Sequence, residues 1–223
     1  MRFGPSIEAS IGGVGVNIGI IGAGHIGGTA ARLFAEAGHQ VAVSNSRGPA
    51  TLTSLVQQLG PNVRAVTVEE AATFGEVVLL AIPFKAYTDL PAPQLAGKIV
   101  IDAMNYYPRR DGQIDFGGLT SSELVARQLP GARIVKAFNT MYFQTLATAG
   151  KPGAPMNERL VLFVAGDDPD AKAVVSRLIE EIGFALVDTG SLREGGRKQQ
   201  PGSPIYSQEM SPEEAREALA SRS

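Results

Sequence analysis

Short runs of consecutive apolar residues recur along this chain, separated by stretches whose apolar positions fall at helical spacing. Residues 16–21, 40–44, 63–66, 77–82, 98–103, 133–138, 159–165 and 184–187 read as strands. Several are apolar at every position rather than alternating, the pattern of strands buried on both faces of a parallel sheet. Between them, residues 28–37, 52–59, 69–74 and 168–182 read as helices, the last amphipathic and stopped by Gly183. Residues 140–149 are moderately helical, and 151–155 read as a loop. Strand and helix therefore alternate. This predicts an α/β fold with a doubly wound, mostly parallel sheet covered on both faces.

In such a sheet, ligands collect beyond the carboxyl ends of the strands. The first of these ends is the most informative. Val16-Asn17-Ile18-Gly19-Ile20-Ile21 runs directly into Gly22-Ala23-Gly24-His25-Ile26-Gly27, and a helical pattern follows. G-x-G-x-x-G between a strand and a helix is the fingerprint of a dinucleotide site. Gly22 permits the tight turn, Gly24 lets the backbone approach a pyrophosphate, and Gly27 lets helix and strand pack closely. The pyrophosphate would rest on unpaired N–H groups at the helix N-terminus.

The second strand ends in Ser44-Asn45-Ser46-Arg47-Gly48, where chains that bind NAD usually carry a carboxylate. A carboxylate would repel a ribose 2′-phosphate. Arg47 can instead grip it with forked, charge-assisted hydrogen bonds, beside the neutral donors Asn45 and Ser46. NADP(H) is the cofactor this predicts; an exposed arginine on a polar loop is the plainer alternative.

The remaining ends read Ile82-Pro83-Phe84, Asp102-Ala103-Met104-Asn105 and Lys136-Ala137-Phe138-Asn139-Thr140. The first is either an apolar wall along the cofactor path or an ordinary strand terminator. Asn105 and Asn139 suit a nicotinamide carboxamide or a ribose hydroxyl, and equally suit helix caps. Acid–base groups are sparse. His25 lies in the glycine turn, near the solvent edge, and His39 just past the first helix, where it reads as structural. Lys136 reads as an exposed or ion-paired residue, or as a catalytic amine. Hydride transfer between two bound partners needs little beyond their positioning and the exclusion of water.

Composition narrows the class. With 44% hydrophobic and 19% charged residues in 223, a sizeable core is expected rather than disorder. A net charge of −2 offers no electrostatic footprint for nucleic acid. The absence of cysteine removes disulfides, thiolate metal sites and a cysteine nucleophile, and suggests a cytoplasmic protein with no metal. No apolar run has the length of a membrane helix. Residues 1–15 read as a flexible extension, 16–190 as a dinucleotide-binding domain, and 191–223 as a C-terminal loop and short helix.

Five separated segments carry a resemblance. They are the glycine fingerprint at 22–27, Asn45-Ser46-Arg47, Leu95-Ala96-Gly97-Lys98-Ile99-Val100-Ile101-Asp102, Lys136-Ala137-Phe138-Asn139 and Gly166-Asp167-Asp168-Pro169. In this order they resemble the NADPH-dependent deazaflavin (coenzyme F-420) reductase family, and the related oxidoreductase domain of the STEAP metalloreductases. The resemblance implies an NADP(H)-binding Rossmann domain with a small C-terminal part, assembled as a homodimer. It implies hydride transfer between the nicotinamide and a deazaflavin or flavin (coenzyme F-420, FMN or FAD) near Ile82, Pro83, Ala137 and Asn139. With the strand-end reading, the expected cofactor-binding residues are Gly22, Ala23, Gly24, His25, Ile26, Gly27, Asn45, Ser46, Arg47, Ile82, Pro83, Phe84, Asn105, Ala137 and Asn139.

The chain departs from archaeal-type members of that family, in which an apolar helical region after the last strand helps wall the deazaflavin site. Residues 193–202 are polar and glycine-rich, and read as a surface loop or as a lid over an anionic ligand. Ser211-Pro212-Glu213-Glu214 opens a short helix with a capping-box pair and proline at the first helical position, packed on the body or on a partner subunit. Two further functions stay open. One is NADPH-dependent reduction of a small imine or carbonyl, with Lys136 as the proton donor. The other is a non-catalytic NADP(H)-sensing module.

Overall fold

The computed structural model describes residues 15–220. Its strands are β1 (Asn17–Ile21), β2 (Gln40–Ser44), β3 (Val63–Ala65), β4 (Val77–Leu80), β5 (Ile99–Asp102), β6 (Arg133–Lys136), β7 (Val161–Gly166) and β8 (Ala185–Asp188). The α-helices are α1 (His25–Glu36), α2 (Thr53–Leu59), α3 (Val68–Phe74), α4 (Ala92–Leu95), α5 (Pro108–Asp111), α6 (Ser121–Gln128), α7 (Phe143–Thr148), α8 (Pro169–Glu181), α9 (Glu194–Lys198) and α10 (Pro212–Ala220). The strands form one sheet in the order β3-β2-β1-β4-β5-β6-β7-β8. Neighbours are parallel except β6 and β7, so the sheet is the doubly wound, mostly parallel one expected, a Rossmann-like fold. The order runs outward in both directions from β1 and β4, which opens a crevice beyond their carboxyl ends.

Successive side chains of a strand point to opposite faces, so a strand apolar at every position can feed two cores. On one face Ile18, Ile20, Leu79 and Ile101 pack with Phe34 of α1 and with Val175 and Ile179 of α8. On the other, Ile21, Leu80 and Val100 meet Ala71 and Ala72 of α3, Leu95 of α4 and Val125 of α6. A smaller core joins Phe163 and Val187 to Ile205 and to Ala215 of α10. The short C-terminal helix thus packs on the body of its own chain. It starts as expected: the Ser211 N–H donates to Glu214 Oε2 at 2.7 Å, and the Glu214 N–H donates back to Ser211 Oγ at 3.4 Å.

Two expectations change. Residues 105–132, where periodicity suggested nothing, hold α5 and α6; α6 opens on a capping box between Thr120 and Glu123. Residues 193–202 are not a plain surface loop, because α9 occupies them and Gly195, Gly196 and Gln199 are buried. A Cβ at Gly195 would stand 2.6 Å from Thr189 Oγ1, so this glycine serves close packing against the end of β8 rather than freedom. The stretch expected to be flexible, 1–15, lies outside the described residues except for Gly15. No helix among the described residues is long and apolar enough to cross a membrane.

Candidate functional site

Two adjoining clefts open beyond the carboxyl ends of the central strands and share the ledge Ala81-Ile82-Pro83. The first, of about 500 Å³, is bounded by Gly22, Ala23 and Gly24, by Asn45, Ser46 and Arg47, and by Lys85, Ala86, Asp89 and Leu90. Backbone sets its shape. Gly22 has a φ of 110°, and its N–H donates to the Ser44 carbonyl at 3.0 Å. A Cβ at Gly27 would stand 1.7 Å from the Gly22 oxygen, so α1 can lie against the turn only because this residue is glycine. At Gly24 a Cβ would meet nothing within 4 Å. The three glycines thus do three different jobs.

Helix α1 begins at His25 with Gly24 as its N-cap, and no side chain satisfies that cap. Free N–H groups and the positive end of the helix dipole are left where the two clefts meet, an environment that favours an anion. In the loop after β2, Asn45 Oδ1 accepts from the Arg47 N–H at 2.9 Å, and Asn45 Nδ2 donates to Thr51 Oγ1 at 2.9 Å. Asn45 therefore shapes the loop. Ser46 and Arg47 are exposed, and among the described residues the Arg47 guanidinium has no ion-pair partner.

The second cleft, of about 360 Å³, is made mostly by side chains: His25, Ile26, Ala103, Met104, Asn105, Tyr107, Arg110, Phe138, Asn139, Met141, Tyr142, Phe143, Tyr206 and Ser207. Phe138 (φ 65°) and Ser207 (φ 56°), which line it, hold left-handed backbone. Such a conformation costs a residue with a side chain about 1–3 kcal/mol, so its surroundings must impose it. Phe138 is fully buried and set edge-on against Phe34, and the Ser207 N–H donates to the Thr140 carbonyl at 2.8 Å. His25 stacks on Phe143 with ring centroids 4.1 Å apart, so its ring forms part of this wall.

A chain of amides and phenols crosses the second cleft. Asn105 Nδ2 donates to the Asn139 carbonyl at 2.7 Å; Asn139 Nδ2 donates to Asn105 Oδ1 at 3.1 Å and to the Gln199 carbonyl at 2.8 Å. Among the described residues, buried Asn139 Oδ1 has no hydrogen-bond partner, the situation that a ligand N–H would resolve. The Tyr206 oxygen accepts from Asn105 Nδ2 at 3.4 Å and touches the phenol of Tyr107. Arg110 donates to the Asn105 carbonyl at 2.5 Å and to Asp111 at 2.8 Å. Burial opposes charge on Asp111, but Arg110 and the N–H groups of Tyr107 and Lys85 hold its carboxyl below the ordinary range.

Three expected site residues lie elsewhere. Phe84 lines neither cleft; it is fully buried, stacked on Tyr87 and packed with Tyr106 and Phe116. Ala137 is buried in the core, and the left-handed turn at Phe138 brings Phe138 and Asn139 to the cleft in its place. Lys136 is 1% exposed and pairs with Asp102 at 3.2 Å, while donating to the Met104 carbonyl at 2.8 Å. Ser122 Oγ and the Met104 N–H complete the partners of Asp102, so the pair is a core fixture that holds the 103–105 turn. His39 is structural, as expected: buried, with Nδ1 accepting from the Val16 N–H and Nε2 3.0 Å from Glu181. The strand-end argument could have reached Tyr107 and Arg110, which follow β5 closely. Nothing local pointed to Tyr206, which meets Asn105 from 101 residues away.

Comparison with known proteins agrees with this geometry. Residues 17–106 match the family described as NADP oxidoreductase, coenzyme F420-dependent. Over 178 residues, 78% of this chain, the sequence is 33% identical to metalloreductase STEAP3 of Rattus norvegicus. It spans only 34% of that protein's length. Among solved structures, protein SMa0349 of Sinorhizobium meliloti is 38% identical with a TM-score of 0.77, over 88% of this chain and 95% of that one. A candidate F420-dependent NADP-reductase of Arthrobacter sp. FB24 is 27% identical with a TM-score of 0.67, over 80% and 86% of the two chains.

Proposed function

Residues 17–106 carry the domain of the coenzyme F420-dependent NADP oxidoreductases, and from that premise we propose that the chain moves hydride between NADP(H) in the first cleft and a deazaflavin or flavin in the second. The observation that carries this reading is the shared ledge. It joins a cleft with a glycine turn and an exposed arginine, unpaired among the described residues, to an aromatic and amide-lined one. Gly24 and the α1 N-terminus would hold the pyrophosphate. Arg47 and Ser46 would hold the 2′-phosphate. Asn139 Oδ1, on the second cleft and with no donor among the described residues, would take the nicotinamide carboxamide N–H where the dinucleotide crosses the ledge. The dinucleotide supplies the hydride; the chain binds, orients and excludes water. By resemblance the working unit is a cytoplasmic homodimer, whose mass sedimentation equilibrium measures.

The test is anaerobic NADPH oxidation by the purified protein with coenzyme F-420, FMN and FAD as separate acceptors. Turnover with coenzyme F-420 alone is the expected result. Turnover with FMN or FAD would move the assignment to flavin reduction. Tight NADPH binding with no oxidation by any of the three would overturn it, in favour of sensing or of a small imine or carbonyl substrate. The carbonyl alternative has lost its expected proton donor, because Lys136 is committed to Asp102.

A further inference from the structure

Tyr206 has an unusual setting for a residue that merely straps down the C-terminal segment. Its oxygen accepts from Asn105 Nδ2 at 3.4 Å, the Ser207 hydroxyl lies beside it, and it touches the phenol of Tyr107. A phenol has one hydrogen to give and two lone pairs. Either phenol can donate in the Tyr107 contact; when Tyr107 donates, the Tyr206 hydrogen is the one left for a ligand in the cleft that this side chain lines. Tyr107 is 36% exposed, which connects the pair to water. The Arg110 guanidinium stands 4.9 Å from the Tyr107 ring centroid and also lines the cleft, with its charge paired to Asp111. Burial above all pushes the Tyr206 phenol well above the usual tyrosine range, so it stays protonated at any working pH.

We propose that Tyr107 donates to Tyr206, and that the Tyr206 hydroxyl, anchored by Asn105, is the hydrogen-bond donor for the negative charge that the acceptor gains on reduction. This rests on the hydride-transfer reading and narrows the acceptor class. The acceptor carries a carbonyl oxygen or ring nitrogen conjugated with the atom that receives hydride. The balance is NADPH, acceptor and one proton giving NADP⁺ and reduced acceptor. Two electrons arrive with the hydride. The pair displaced from the reduced double bond collects on the conjugated oxygen or nitrogen opposite Tyr206, and water supplies the proton. Preorganised donors of this kind matter because they act where charge develops.

The test uses equilibrium binding as well as rate. Oxidised and chemically reduced FMN and coenzyme F-420 are titrated anaerobically into the wild-type protein, Tyr206→Phe and Tyr107→Phe, with NADP⁺ present. The phenylalanine variants keep the rings and lose only the hydroxyls. Tyr206→Phe is expected to weaken the reduced probe at least fivefold relative to the oxidised one, with NADPH affinity and Tm unchanged. Its turnover with the active acceptor should fall about 10- to 100-fold in kcat rather than in KM, and the isotope effect from NADPH deuterated at C4 should rise. Tyr107→Phe should shift the same quantities about threefold. If the wild-type protein binds an acceptor and Tyr206→Phe leaves its redox preference unchanged, or loses Tm and NADPH affinity in step with kcat, this proposal falls alone. If the wild-type protein binds none of the probes, the hydride-acceptor reading falls with it.

Discussion

The two clefts meet at one ledge but are built by opposite means. The first owes its turn and its helix end to backbone, a left-handed glycine, a helix N-terminus and a loop held by its own asparagine, with Arg47, Lys85 and Asp89 at its border. The second is made of side chains from segments far apart, tied by amide and phenol contacts and by two residues in left-handed backbone. Backbone recognises what all dinucleotides share. Side chains decide what is particular, so variation in acceptor chemistry belongs in the second cleft.

Expected outcomes can sharpen or break this contrast. The largest effect should come from Lys136→Met, which leaves Asp102 buried without its cation; removing one partner of such a pair costs about 3–5 kcal/mol. Urea denaturation measures it, and stability near that of the wild type would mean that the pair does not hold the 103–105 turn. Gly27→Ala should cost about 3 kcal/mol, since its Cβ would overlap the Gly22 oxygen. Gly24→Ala is the matched control. With open space at its Cβ it should keep its Tm, yet lose NADPH affinity in a fluorescence titration. Equal stability losses in the two glycine variants would erase the division of labour among them.

Arg47→Ala should weaken NADPH by about 1.5–3 kcal/mol, the worth of a charge-assisted contact, while barely changing NADH. A parallel loss for both would remove the 2′-phosphate clamp. The smallest effect lies away from both clefts. Asp168 caps α8 through the N–H groups of Asp170 and Ala171 and pairs with Arg133. The Arg133 bond first, then those N–H groups, lower its carboxyl to about 2. A depressed folded-state value means that the stabilisation is full above the unfolded value of about 3.9 and fades as pH falls from there towards the folded one. The Tm gap between wild type and Asp168→Asn should therefore be constant above about pH 5 and shrink below about pH 4, whereas Asp168→Ala should also lose the cap, about 1 kcal/mol. A gap that widens in acid would reverse the sign of the argument.

Most of the sheet was legible because a strand buried on both faces must be apolar at every position. The eight runs correspond to β1–β8, with ends that differ by up to a few residues. The stretch at 105–132 was not, because α5 has only 4 residues and α6 buries two serines beside Leu124 and Val125, which hides its apolar period; α6 announced itself only through Thr120 and Glu123. Residues 193–202 misled for a different reason. Glycine in a polar run suggests freedom, but Gly195 is there because Thr189 leaves no room for a Cβ.

What the sequence determined by itself is the doubly wound sheet and the first cleft, from Gly22 through Arg47. Both rest on local rules: periodicity, a glycine turn, and the charge at a strand end. Tertiary structure alone decided that Phe84, Lys136 and Ala137 turn inward and that Asn105, Asn139 and Tyr206 converge. The physical reason is that an apolar run carries its burial with it wherever the chain folds. A polar side chain such as Lys136 or Tyr206 takes its role from whichever distant group comes within hydrogen-bond reach.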